Sequence, residues 1–157
     1  MKIVFIQVGK TDSGFVQEGA DIYANRLKFY SPFEIITLPN LKKGNSIPFE
    51  QIKKQESDKI ILEIKESDHI VLLHDTGKQF RSIEFADFIK NKMNTLSGRL
   101  VFIIGGAYGV DERIFERANQ CLSLSKMTFS HQMVRMIFLE QLYRAFSILK
   151  NEPYHHE

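Results

Sequence analysis

Leu100-Val101-Phe102-Ile103-Ile104-Gly105-Gly106-Ala107-Tyr108-Gly109 carries an apolar run straight into three glycines. Three of the five apolar residues are β-branched. A continuous run of this kind, closed by turn residues, predicts a strand buried on both faces. The glycines permit positive φ and close backbone approach, which a side chain resists. Val110-Asp111-Glu112 follow, with Asp111 placed to cap a helix over Glu112–Ala118. Strand, glycine loop and helix start in that order mark the usual ligand position in an open α/β sheet, outside the carboxyl end of a strand. The plainer alternative is a tight strand-to-helix connection that binds nothing.

The rest of the chain repeats the alternation. Lys2–Val8 is a strand closed by Gly9, with Thr11, Asp12 and Ser13 as helix caps behind it. Apolar residues at helical spacing from Phe15 to Tyr30 predict a helix over about Gly14–Phe29, stopped at Ser31-Pro32. Phe33–Leu38 is a second strand. Asn40–Ser46 is a loop with two adjacent lysines, either simply solvated or in contact with phosphate. Ser46 and Pro48 open a helix to about Lys65, whose charged middle, Lys53–Lys59, reads as solvent-exposed. His69–His74 is a third strand and Asp75–Lys78 a polar turn. Ser82 caps a helix that ends near Ser97-Gly98. Cys121–Leu124 is a short fifth strand and Ser125–Ser130 a loop. His131–Lys150 is a helix so apolar that it must be covered on more than one side, by the sheet and by a second subunit. The expected architecture is a mostly parallel sheet with helices on both faces, in one domain spanning residues 1–157.

Composition excludes several classes. The 157 residues are 43% hydrophobic and 25% charged, as in a globular protein. A formal net charge of +2 provides no strong global attraction for polyanions, so any nucleic acid must be met by a local patch. The single cysteine, Cys121, precludes an internal disulfide and reads as a core residue. The run Ile3–Ile6 is too short for a signal peptide, and no stretch approaches a membrane span, so a cytoplasmic protein is expected. The glycines fall after the fourth strand, where a dinucleotide fingerprint would need them after the first. There is no phosphate loop, no paired metal-ligand spacing and no nucleophile elbow. What remains is three turns, near Leu73, Gly105 and Leu124, that share one sheet edge if their strands are parallel neighbours. Backbone groups there can enclose a flat, partly apolar ligand.

Four motifs carry a more specific resemblance: Ile104-Gly105-Gly106-Ala107-Tyr108-Gly109, Leu124-Ser125-Lys126-Met127-Thr128-Phe129-Ser130-His131, Glu140-Gln141-Leu142-Tyr143-Arg144-Ala145 and Pro153-Tyr154-His155-His156. In this order, in a chain of this size, they resemble the SPOUT class of methyltransferases. Within that class they resemble the RlmH family, which methylates N3 of a pseudouridine in large-subunit ribosomal RNA. Ser130 stands where a proline is common in the family, leaving the start of the last helix less rigid.

The resemblance implies a C-terminal trefoil knot and a binding site for S-adenosyl-L-methionine lined by Leu73, Gly105, Leu124, Ser125, Lys126, Met127, Thr128 and Phe129. It implies catalytic roles for Arg144, Tyr154 and His155, and substrate contacts from His131, Arg135 and His156. No metal is implied. The expected substrate is 23S ribosomal RNA in the assembled ribosome, approached by a homodimer through the last helix. Another RNA such as tRNA, or a non-catalytic ribosome-binding role, are the alternatives. Read from the residues alone, Arg144 lies one turn beyond Glu140, and an i,i+4 ion pair competes with a role toward RNA.

Overall fold

Five apolar segments form one parallel sheet: β1 (Lys2–Val8), β2 (Phe33–Leu38), β3 (His69–Lys78), β4 (Arg99–Ile104) and β5 (Gln120–Leu122), in the order β2-β1-β4-β3-β5. A computed structural model describes residues 1–12, 14–41 and 47–156. The expected caps Ser13 and Ser46 and the lysine pair Lys42-Lys43 lie outside the described residues. The central strands β1 and β4 pair in register from Lys2↔Arg99 to Gln7↔Ile104 and are buried along almost their whole length. Burial on both faces explains why they read as continuous apolar runs without alternation.

The helices are α1 (Gly14–Leu27), α2 (Phe49–Glu63), α3 (Ser82–Thr95), α4 (Glu112–Arg117) and α5 (His131–Leu149). Ile3, Phe5, Phe102 and Ile104 face a core completed by α1, α3 and α5. The alternate residues Val4, Ile6, Val101 and Ile103 face a second core closed by Ile60 of α2 and Ile114 of α4. The period-2 alternation of strand side chains thus builds two cores from one sheet. Helix α5 packs against both α1 and α3. Phe138 sits at its centre with no exposed surface, its ring 4.9 Å from Phe5 and 4.7 Å from Phe102. Much of the covering that the apolarity of α5 demands therefore comes from helices of the same chain.

Several local expectations are corrected. Asp75–Lys78 is not a free turn: β3 runs on to Lys78, and both Leu73 and Lys78 pair with Leu122 across a register shift. Gly77 makes this bulge fit, since a Cβ there would lie 2.6 Å from the backbone of Leu122. Strand β5 ends at Leu122, leaving Ser123 and Leu124 to the following loop. Arg81, not Ser82, is the N-cap of α3, where the Glu84 carboxylate accepts the Arg81 backbone N–H at 2.8 Å. The charged middle of α2 is not wholly exposed: Glu56 and Ser57 are buried. Ser130 caps α5, its hydroxyl accepting the Met133 N–H, so the helix start is held without a proline.

Candidate active site

Because all five strands are parallel, their carboxyl ends share one edge, and among the cavities that open along it two lie side by side and share a wall. One of this pair, of about 280 Å³, lies beside the bulge of β3 and beyond the ends of β4 and β5. Its walls come from Leu73–Asp75, Ile104–Ala107 with Gly109, and Leu122–Ser125 with Met127–Phe129, closed by His131 and Val134 of α5. Of the eight residues expected to hold a cofactor, seven line this cavity; Lys126 is exposed and does not.

Each wall has a local cause. The glycine loop doubles back on itself, with Gly109 N–H donating to the Gly106 carbonyl at 3.1 Å and Gly109 at φ +78°. A Cβ on Gly105 would lie 2.7 Å from the Gly109 backbone, so this turn admits no side chain there. The next segment is tied by hydroxyls: Ser123 Oγ donates to the Ser125 carbonyl at 2.9 Å, and Ser125 Oγ accepts the Met127 N–H at 2.9 Å. His74 enters from the β3 bulge, its ring edge-on to Phe115 at 4.9 Å. Apolar side chains around a backbone-rich rim suit a flat ligand with an apolar body and a polar edge. His74, Asp75 and Ser123 were missed in the sequence reading because they sit in a bulge and past a strand end, where periodicity carries no signal.

His131 borders the cavity, and burial, then the Arg135 charge, lower its pKa, favouring the neutral imidazole. Arg135 is not at any surface. Its guanidinium is fully buried and donates to the Val8 and Gly9 carbonyls at 2.6 and 3.0 Å and to Thr11 Oγ1 at 3.1 Å. It anchors the end of β1 and does not reach toward a substrate.

Arg144, Tyr154 and His155 form a separate cluster. Arg144 Nε donates to Glu140 Oε1 at 3.1 Å, so the i,i+4 pair is present. Arg144 also lies 4.7 Å from the Tyr154 ring centroid, with Nη1 3.5 Å from His155 Nδ1. Tyr154 hydroxyl donates to Glu140 Oε1 at 3.1 Å and lies 3.2 Å from the Tyr23 hydroxyl. Burial, then the bond to Tyr23, raise the Tyr154 pKa, so it remains a phenol and serves as a hydrogen-bond donor. Glu152 accepts the Tyr30 hydroxyl, which pins the tail against the end of α1. His156 is exposed. This cluster sits toward the far end of α5. Arg144 lies thirteen positions beyond His131 on α5, about 20 Å at the helical rise. One chain therefore does not bring the tail residues to the cavity.

Among the described residues no group of three His, Cys, Asp or Glu side chains is placed to hold a metal ion. No helix among them is long and apolar enough to cross a membrane.

Comparisons with known proteins agree with this geometry. The family model described as "Predicted SPOUT methyltransferase" matches residues 1–155. A protein of Parabacteroides distasonis named ribosomal RNA large subunit methyltransferase H is 47% identical over 157 residues, covering all of both chains. A Christiangramia forsetii protein of the same name is 49% identical over 156 residues, 99% of each. Among solved structures, a probable methyltransferase from Bordetella pertussis superposes with a TM-score of 0.53 at 12% identity, over 92% of this chain and 94% of that one. A probable methylase family protein from Haemophilus influenzae superposes at 0.56 with 13% identity, over 99% of this chain and 70% of that one. The structural likenesses concern the fold alone; the family model and the close relatives, matched over essentially the full length, place this chain in the SPOUT methyltransferase family.

Proposed function

We propose that residues 1–157 act as a single domain that transfers a methyl group from S-adenosyl-L-methionine to N3 of a pseudouridine in the 23S RNA of the assembled ribosome, in the cytoplasm. The observation that carries this reading is the convergence of the β3 bulge and of the turns after β4 and β5 on one cavity at the sheet edge. The fit is physical: the glycine loop leaves room for a ligand against backbone, and apolar walls flank it. When bound, the cofactor supplies the activated methyl group; the chain binds it, aligns it and keeps water away. Leu73, Gly105, Leu124, Ser125 and Met127–Phe129 hold it, with Lys126 at the rim. The trefoil threading of the carboxyl end belongs to the same proposal.

The substrate side needs a second copy. Arg144, Tyr154 and His155, with His156 beyond them, lie about 20 Å along α5 from His131, so in a homodimer the tail of one protomer completes the cleft of the other. Exposed apolar residues support such an association: Phe15 is 68% and Ile22 45% exposed, two turns apart on α1. With a net charge of only +2, recognition rests on a folded ribosomal surface and a few phosphate contacts.

The test is methylation of ribosomes lacking the modification, read by mass analysis of the RNA, beside tRNA as substrate. The charge-reversed Arg144→Glu variant keeps cofactor binding by calorimetry and loses methylation, because it leaves two carboxylates where one pair stood. Methylation of tRNA instead, or tight cofactor binding with no turnover on ribosomes, refutes the assignment.

A further inference from the structure

A second cavity, of about 250 Å³, lies beside the first and shares Gly106, Ala107 and His131 with it. It opens between the carboxyl ends of the neighbouring strands β1 and β4. The helices that leave these two strands cover opposite faces of the sheet: α1 joins the core of Ile3 and Phe5, and α4 that of Val4 and Ile6. That divergence opens a crevice where parallel α/β sheets bind ligands. The cavity of the methyl donor lies one strand further on, so the ordinary ligand position of this fold is left to something else.

The crevice contains an unmatched polar group. Glu56 of α2 is 3% exposed; its Oε1 accepts the Leu41 N–H at 3.2 Å, and its Oε2 is buried with no partner. Burial raises its pKa above the ordinary 4.5. The carboxyl presses on the wall between the cavities: a Cβ on Gly106 would lie 2.5 Å from Oε2. Asn40, Lys10, Asp12 and Gln132 add further polar groups to the lining. A phosphate would meet two carboxyl groups here, those of Glu56 and Asp12, and a metal cation would meet the Lys10 ammonium. A neutral ring bearing both N–H donors and carbonyl acceptors offers an N–H to the Glu56 carboxyl and carbonyls to the Asn40 and Lys10 donors.

We propose that this crevice is the acceptor subsite, taking one uracil-class base turned out of its helix, with Glu56 receiving a ring N–H and Asn40 and Lys10 donating to ring carbonyls. The inference rests on the function proposed above and names the place of its substrate. Enzymes that modify a base inside folded nucleic acid extrude it into a pocket of this kind. The shared wall of Gly106 and Ala107 then sets the ring directly beside the donor cavity, and His131 borders both. Glycine at 106 keeps that wall thin.

The experiment is a titration of pseudouridine nucleoside into the ¹⁵N-labelled protein saturated with S-adenosylhomocysteine. Amide shifts centred on Gly9, Lys10, Leu41 and Gly106 are expected. Glu56→Gln keeps the shape and the Leu41 bond but replaces an acceptor with a donor, so it weakens the nucleoside by about tenfold or more. Its affinity for S-adenosylmethionine by calorimetry remains that of the wild type. Asn40→Ala, which leaves the core untouched, weakens the nucleoside in the same way and serves if the first variant folds poorly. Shifts confined to the tail, or unchanged titration in both variants, overturn the proposal. Because the titration needs no turnover, a wild-type protein that fails to methylate ribosomes sinks the function without deciding the subsite.

Discussion

At the scale of single residues, buried charges carry most of the information that side-chain type alone conceals. Arg135 is enclosed among carbonyls at the end of β1, where a lysine would lose the planar fork that bonds three acceptors at once. Asp68 is paired with Arg99, Nε to Oδ1 at 2.8 Å, and also accepts the Lys65 N–H at 2.7 Å. Burial pushes the Asp68 pKa up, but the Arg99 and Lys65 bonds outweigh it and hold the group below its ordinary 3.8. A depressed carboxylate contributes stability above its unfolded pKa and loses it as pH falls through the folded one. Arg99→Met removes the partner and strands a carboxylate with 1% side-chain exposure. We expect a loss of about 3–5 kcal/mol at pH 7. The deficit shrinks as acid protonates Asp68, and thermal melts of both proteins at pH 7 and below pH 4 check this. A deficit independent of pH would assign the loss to packing.

At the scale of elements, the caps and the glycine loop are the parts most open to direct trial. Ser130 caps α5 through the Met133 N–H. Ser130→Ala therefore costs about 1 kcal/mol and lowers the melting temperature by about 2–4 °C in a chain of this size. The glycine loop is constrained by backbone rather than by a flexible side chain. Gly105→Ala thrusts a methyl group into the Gly109 carbonyl. The expected result is an intact far-ultraviolet spectrum with S-adenosylmethionine affinity reduced by about tenfold or more, measured by calorimetry. Unchanged affinity would remove the loop from the donor site.

At the scale of the whole molecule, the length of α5 governs the argument. Its first turn borders the cavity at the strand ends, and its far end carries Arg144 under the tail. If one protomer supplies the cavity and its partner the tail, two defective chains complement each other. Mixing Gly105→Ala with Arg144→Glu protein, after reversible unfolding together, restores methylation of ribosomes that neither variant performs alone. An inactive mixture whose heterodimers are verified by mass would place both halves of the site in one chain. A wild-type chain that stays fully active as a monomer at high dilution would do the same.

The alternation of apolar runs with helical periods was sufficient to place the strands and helices seen among the described residues, because strand and helix periods are local properties of side-chain order. Asp111 as a cap and the glycine turn closing β4 were legible for the same reason, and the four motifs pointed to the family. Lys53–Lys59 shows where that legibility ended. Its composition reads as a solvated face, yet Glu56 and Ser57 are buried against Leu41 and Asp111, residues 15 and 54 positions away. Arg135 read as a substrate contact, and its carbonyl partners lie more than 120 residues upstream. The span between tail and cavity was equally hidden, since motifs close in sequence order are held apart by an intervening rigid helix. Period and turn chemistry are written along the chain. Burial of a polar group depends on which distant backbone comes to meet it, and only the folded sheet decides that.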